Sequence, residues 1–424
     1  MPFAQEHTSS YYAATASRQT DYPRLKEDLR TDVCVIGAGF TGIATALTLA
    51  ERGYEVCVVE SNRVGWGASG RNGGQMIGGI SGEARIVEKD PGLERLVWDM
   101  RWAGNDIIRE RVSTYGIECD LKHGYADVAI KPRHVRDLEK WAKDLERHEF
   151  PFDYSLLNAS QTRDVLGTDA YIGALINMGN GHLHPLNLCL GEARAAETLG
   201  VRIFEQSAAL KIDHGEAARV STAEGSVTAD FVVVAGNAYL SFDKRLRRRV
   251  FPVRSYIIAT EPLDDERLDV INPHDLAVCD PNYVIEYYRL SADKRMLFGG
   301  RVNYFGEDQG RIAGALKPRM CRIYPSLAEL DVDYAWGGTI AVPINRVPQI
   351  GRIAPNVYYS MGYSGHGVNV THVEADVLAD AIAGTLERFD VFARMRSLPI
   401  PGVIHFGNAL VALGVMYYRL KDRL

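Results

Sequence analysis

Apolar and polar positions follow two different periods along this chain, and the places where the period changes outline its architecture. Cys34-Val35-Ile36 is a short β-branched run that predicts a buried parallel strand, and Glu55 to Val59 predicts a second. Between them, Thr41 through Arg52 is rich in alanine and leucine and reads as a helix ended by Gly53. "GVRIFEQSAALKID" (Gly200–Asp213) and "ADFVVVAGNAYL" (Ala229–Leu240) predict further strands. "YYSMGYSGHGVNVTHVEADVLADAIAG" reads as strand, glycine turn and helix. Lys89 to about Phe150 is dominated by helical patterning, with Trp98 and Trp102 on one face as core residues rather than a ligand cage. "GYADVAI", "RSYIIATEPL", "NYVIEYYRL" and "RMLFGGRVNYFG" alternate instead, as antiparallel strands of a second, mostly β layer do. The pattern predicts an α/β fold whose parallel, Rossmann-type layer is interleaved in sequence with a mainly antiparallel sheet.

A length of 424 residues suits two such interwoven domains, and 46% hydrophobic with 24% charged residues is ordinary for a globular enzyme. The net charge of −6 gives no general attraction to nucleic acid or anionic lipid. The basic cluster Lys244–Arg249 reads as a solvated helix face between two strands. The six cysteines lack zinc or disulfide spacing, which predicts no metal site and a reducing, cytoplasmic setting; Cys34 and Cys57 fall in core strands as buried thiols. The N-terminal stretch has no secretory pattern and predicts an arm leading to the first strand. No run reaches the ~18 apolar residues of a membrane span. "ALVALGVMYYRL" predicts a terminal helix packed on the body, with peripheral membrane contact the weaker alternative.

Chemistry enters with the turn after the first strand. Gly37, Gly39 and Gly42 form GxGxxG, and Phe40 and Thr41 open a helix whose free N–H groups suit a pyrophosphate. Glu60, followed by Ser61, closes the second strand, where a carboxylate accepts from ribose hydroxyls and repels the 2′-phosphate of NADP. Strand, helix, strand and acid in register make a dinucleotide site. "SNRVGWGASGRNGGQMIGG" then brings backbone close to something flat, with Gly67, Ala68, Ser69, Arg71, Asn72, Gly73, Gly74 and Gln75 suited to the polar edge of an isoalloxazine. No second unit of comparable quality offers a nicotinamide site, so the dinucleotide is FAD.

These segments resemble the D-amino-acid-oxidase-like (DAO) flavoproteins, and more narrowly the γ-glutamylputrescine oxidoreductases of bacterial polyamine catabolism. "SSYYAATA", "GHLHPLNL", "EYYRLSADKRMLFGGR" and "MGYSGHGVNVTHVEADVLADAI" extend the likeness over nearly the whole chain. The resemblance implies an FAD-binding domain of the DAO type from 28–85, 185–240 and 345–398, a substrate domain from 86–184 and 241–344, and a helical tail over 399–424. Ala209 and Gly236 are then expected beside the cofactor. Gly362, Ser364, Gly365, His366 and Gly367 are expected at flavin N1 and C2=O, His366 either as a charge-assisted donor or as a satisfied turn residue. Asn345 stands where relatives commonly carry aspartate, and reads as a turn cap. Cys321 reads as a buried helical thiol, which leaves FAD noncovalent.

The implied reaction moves a hydride from the carbon beside an amine nitrogen to flavin N5, so no catalytic side chain is required. Tyr256, Tyr288 and Trp336 are the expected walls of the substrate pocket. The expected partners are a small amine, foremost γ-glutamylputrescine or a related polyamine derivative, and oxygen or quinone as acceptor; the oligomeric state stays open. The alternative is an amino-acid dehydrogenase for glycine, sarcosine or a D-amino acid that passes electrons to quinone. It needs a carboxylate anchor, for which Arg71, Arg254 and Arg301 are candidates.

Overall fold

The computed structural model describes residues 6–282, 285–300, 308–395 and 397–404, with 406, 407, 411, 412, 414 and 422. A short helix, α1 (Tyr11–Ala14), precedes β1 (Asp28–Ile36), α2 (Phe40–Glu51) and β2 (Val56–Val59). The chain then passes through β3 (Gln75–Met76), α3 (Glu83–Lys89), α4 (Glu94–Tyr115), β4 (Lys122–Ala129), α5 (Pro132–Arg147), β5 (Tyr154–Asn158), α6 (Ala159–Leu166) and β6 (Gly173–His182). Helix α7 (Pro185–Thr198) returns it to β7 (Arg202–Phe204), β8 (Lys211–Asp213), β9 (Ala218–Ser221) and β10 (Ser226–Val234). After α8 (Lys244–Arg247) come β11 (Val250–Pro262), α9 (Asp265–Leu268), β12 (Ala277–Cys279), β13 (Glu286–Leu290), β14 (Arg295–Gly300), α10 (Gln309–Ile323) and β15 (Val332–Pro343). β16 (Gln349–Ala354), β17 (Val357–Met361), α11 (Gly367–Ile382) and α12 (Glu387–Ala393) complete the described elements.

The first sheet runs β16-β17-β10-β1-β2-β7, parallel from β17 to β7, with β8 and β9 added beside β10. Its inner strands are apolar on both faces because helices cover both, as parallel sheets require. β1 lies between β2 and β10, so strand order reverses there, and the carboxyl ends of such strands border a crevice. Ile36, Val59, Val234 and Met361 end their strands on that edge and hand over to Gly37, Glu60, Ala235 and Gly362.

The second sheet runs β15-β11-β14-β13-β12-β4-β6-β3 and is antiparallel except at β12–β4. Its faces are unlike. Tyr256, Ile258, Tyr288 and Phe298 pack against Ile312, Leu316 and Met320 of α10. Ile257, Leu297 and Trp336 join the core shared with α2, α7 and α11. Where α4, α7 and α11 meet, buried Glu192 accepts from Arg111 and from His372, each at 3.0 Å. Burial opposes the Glu192 charge, but His372 and Arg111 outweigh it and hold the carboxyl below its usual range.

Several expectations change. Gly200–Asp213 is two strands rather than one, broken at Gln206 with φ of 50°. Gln75–Met76 pairs with β6 in the second sheet although it precedes residue 85. Cys321 is half-buried on the outer side of α10 and lines an apolar cavity of about 440 Å³ there, away from the first sheet. The tail over 399–424 lies mostly outside the described residues, as does Arg301. Of the cluster Lys244–Arg249, Lys244–Arg247 forms α8, capped by the Asp243 carboxylate. Among the described residues no helix is long and apolar enough to cross a membrane, and no group of His, Cys, Asp or Glu is arranged to hold a metal.

Candidate flavin site

The turn after β1 is packed so closely that glycine is obligatory. Gly37 has φ of +107°, and a Cβ there would lie 3.0 Å from the Ala235 carbonyl. A Cβ on Gly42 would lie 1.8 Å from the Gly37 carbonyl. Helix α2 thus starts directly at the sheet edge, and no side chain caps it from Gly39, which leaves N–H groups for an anion. One N–H is already used: Phe40 donates to Ser69 Oγ at 2.8 Å, tying the glycine segment to the helix start.

Glu60 closes β2 with both carboxylate oxygens engaged by main chain. Oε2 accepts from Ala38 N at 2.7 Å and Oε1 from Asn62 N at 2.8 Å. Burial raises its pKa, against which those N–H groups favour the charged form. Each oxygen keeps a lone pair for a diol. Ser61 is exposed, Ala209 is buried and Gly236 is half-buried beyond the end of β10.

In the glycine segment the polar side chains hold the backbone in place. Asn72 donates to the Ala68 and Ser69 carbonyls at 3.1 and 2.8 Å and accepts from Gly74 N at 2.8 Å. Gln75 donates to the Val278 carbonyl at 3.0 Å. Arg71 lies over the Trp66 ring at 4.4 Å and donates to the Trp66 carbonyl, while Trp336 Nε1 donates to the Arg71 carbonyl at 3.0 Å. Trp336 therefore fastens the second sheet to the glycine segment.

The last turn carries Gly362, Ser364 and Gly365 at φ of +86°, +54° and +107°. Gly362 N donates to Asn237 Oδ1 at 3.0 Å, and Ser364 Oγ donates to the Arg346 carbonyl at 3.0 Å. His366 and Gly367 begin α11. Burial first, then Arg101 and Arg346, push the His366 pKa down to about 4. Both causes favour the neutral imidazole, and its Nδ1 has no partner among the described residues. Asn345 does cap its turn, accepting from Val347 N at 3.3 Å and donating to the Met395 carbonyl.

Of the expected pocket walls, Tyr256 is buried on the α10 side and borders a polar cavity of about 430 Å³ with Trp66, Arg71, Tyr239 and Arg254. Tyr288 is corrected: it faces α10, stacked on Phe298 and 3.1 Å from the Tyr324 hydroxyl. Side chains alternate along a strand, so its neighbour Tyr287 takes the opposite face. A Cβ on Gly73 or Gly299 would strike the Tyr287 ring at 2.6 or 2.1 Å.

Other participants carry weaker sequence signals. Arg289 is buried with no carboxylate partner among the described residues and donates to the Gly73 and Leu183 carbonyls at 2.9 and 2.8 Å and to the Tyr12 hydroxyl at 3.2 Å. Tyr11 and Tyr12 of the arm are thereby buried against Trp336 and His184. Arg63 joins Glu6 of the arm at 2.9 Å and buried Glu205 at 2.8 Å. Tyr363 bridges Thr41 Oγ1 at 2.6 Å and Ser360 Oγ at 2.8 Å, and Ser360 bonds buried Glu374.

A glycine cradle with no room for a Cβ, two helix starts on one crevice, an acid held by main chain and an unpartnered neutral imidazole together fit FAD. The comparisons agree with this geometry. The chain matches the DAO family, described as FAD dependent oxidoreductase, over residues 32–381. It is 41% identical over 423 residues to the gamma-glutamylputrescine oxidoreductase of Escherichia coli strain K12, covering 99% of each chain. It is 38% identical to the probable oxidoreductase OrdL of Haemophilus influenzae, covering 99% of this chain and 98% of that one. Among solved structures, L-amino acid deaminase from Proteus vulgaris superposes with a TM-score of 0.71 at 21% identity, over 89% of this chain and 95% of that one. Glycine oxidase from Geobacillus kaustophilus gives 0.69 at 18%, over 85% and 98%, and these two likenesses establish the fold. The chain belongs to the DAO family of FAD-dependent oxidoreductases.

Proposed function

We propose that this enzyme oxidises the primary amine of γ-glutamylputrescine or a closely related polyamine derivative, forming an aldehyde, ammonia and, with oxygen as acceptor, hydrogen peroxide. The full-length 41% identity to the E. coli relative carries the substrate assignment. Bound FAD supplies a hydride acceptor at N5. The chain's own residues do the rest. Glu60 would hold the ribose and the starts of α2 and α11 the pyrophosphate and the pyrimidine edge, while Asn72 and Arg289 fix the glycine segment. Tyr287 packs over that segment, and Trp336 is hydrogen-bonded to it. Hydride loss requires the amine to be neutral and its C–H held at the flavin, which is a task of binding rather than of a side-chain acid or base. FAD is held noncovalently in this reading, and the position of Cys321 supports that. Six unpaired cysteines support a reducing, cytoplasmic setting.

The second reading, an amino-acid dehydrogenase, draws on Arg71 and Arg254 bordering the same polar cavity, where two guanidiniums suit a carboxylate. Anaerobic mixing of the holoenzyme with γ-glutamylputrescine, putrescine, glycine, sarcosine and D-alanine separates the two. Bleaching of the flavin by γ-glutamylputrescine, with peroxide on admitting air, is expected. Bleaching by the small amino acids alone overturns the polyamine assignment.

A further inference from the structure

One acid on the second sheet has no part in the flavin site. Asp127 lies in the middle of β4, in register with Cys279 of β12 and Leu175 of β6. Its neighbours Ala126 and Val128 point into the α10-side core, so Asp127 points to the other face. Cys279 is in turn in register with Tyr287, whose ring meets Gly73. Asp127, Cys279 and Tyr287 therefore form a row across three strands, about 10 Å from end to end, that leads to the glycine segment.

Asp127 makes no hydrogen bond or ion pair with any described residue, although Arg101 influences it through space. It keeps accessible surface, yet burial raises its carboxyl pKa to about 7. Cys279, Tyr287 and His366 share the combination. Opposite stands α4, whose Trp102 ring lies over Gly78. Arg101 Nε and Trp102 Nε1 have no partner among the described residues. Asp127 is not explained as the counterion of Arg101, because that guanidinium is paired with Glu83 at 2.9 Å.

We propose that Asp127 is the anionic anchor, on the face of Tyr287, that receives an ammonium group of the substrate other than the amine being oxidised, and so selects cationic amines. The proposal rests on the amine-oxidation reading. An ammonium brought out of water is costly unless a carboxylate pairs with it, and a pairing ammonium favours the ionised form of the acid. The ring of half-buried Tyr287 adds cation–π attraction. No proton or electron transfer is assigned to Asp127.

The test compares holoenzyme with Asp127→Asn, which keeps the shape, and Asp127→Glu, which keeps the charge. The probes are butyltrimethylammonium, a permanent cation, and neutral 1-butanol, each followed by perturbation of the bound flavin spectrum. Wild type is expected to favour the cation at least about 10-fold, and Asp127→Asn to lose that preference with FAD content unchanged. Asp127→Glu is expected to retain part of it. KM for the amine substrate rises about 10–100-fold in Asp127→Asn, with a smaller change in kcat. A cation preference unchanged in Asp127→Asn, or absent in wild type, overturns the anchor. If wild type favours the cation but no amine bleaches its flavin, the amine-oxidation reading falls and the cation site stands. Equal KM in both proteins sinks the anchor and leaves the reading intact.

Discussion

Alanine at Gly42 tests the dinucleotide cradle with a single methyl group. The added carbon would lie 1.8 Å from the Gly37 carbonyl oxygen and 3.2 Å from Val35 Cγ1. Carbon and oxygen settle at about 3.3 Å, so roughly 1.5 Å of separation must come from moving backbone. Either the turn after β1 opens or α2 withdraws from the sheet. Both displace the N–H groups at the start of α2 from the phosphates they are to bind. Overpacking of this kind costs about 1–3 kcal/mol, and each ~1.4 kcal/mol taken from cofactor binding is tenfold in affinity. Titration of apoprotein with FAD, read by flavin fluorescence, should show affinity about 10–100-fold weaker. Gly53→Ala is the control, because Gly53 ends the same region at φ of +86° with nothing within 4 Å. Its methyl group meets no atom, so it costs only about 1–2 kcal/mol of backbone strain. That variant should melt slightly lower and bind FAD as well as wild type. Equal weakening by both variants, or full affinity in Gly42→Ala, refutes the steric argument.

Glu374 is fully buried with Oε1 unpartnered among the described residues, and burial raises its pKa to about 8. The folded state then binds a proton that the unfolded state releases above about 4.5, so stability falls as pH rises from there to about 8; Glu374→Gln should flatten that slope in melts taken across this range. His184 behaves oppositely, its pKa lowered to about 3 by burial first and then by Arg289. Folding there excludes a proton, so stability is complete above about pH 6.5 and drains as pH falls toward 3; His184→Gln should lessen the acid loss in a denaturant titration. Arg289→Lys keeps the charge but not the geometry that reaches Gly73, Leu183 and Tyr12 together. It should loosen FAD and expose the arm to trypsin at Arg18; an arm as resistant as in wild type contradicts the tether.

The dinucleotide unit was legible because its signals are local. Gly37, Gly39, Gly42 and Glu60 act through turns and contacts a few residues long, and the structure shows their close packing directly. What escaped the sequence is set by distant partners. The burial of Tyr12 in "SSYYAATA" has no local signal, since it depends on Arg289, His184 and Trp336. The break at Gln206 is invisible in an apolar run, because its cause is tertiary: Gln206 N and Ser207 N donate to the Asn62 and Glu60 carbonyls. Cys321 sits on a helix whose buried stripe is Ile312, Leu316 and Met320, and its place off that stripe could have been read from the helical period.

The sharpest lesson lies in "EYYRL". Two adjacent tyrosines point to opposite faces, and aromatic character alone does not say which one meets the cofactor. The register decides. Tyr288 pairs across to Val278 and Phe298, both in the α10-side core, whereas Tyr287 pairs to Cys279 and to Gly299, whose missing side chain makes room for the ring. The same alternation in "GYADVAI" puts Ala126 and Val128 inward and leaves Asp127 on the face of Tyr287. An acid inside an otherwise apolar strand is costly to bury without a purpose, so its position is the sequence signal that was available. Glycines opposite an aromatic residue and a carboxylate interrupting an apolar strand thus identify one face of one sheet. In the function proposed above that face positions the substrate at the flavin, and the proposed anchor supplies its charge.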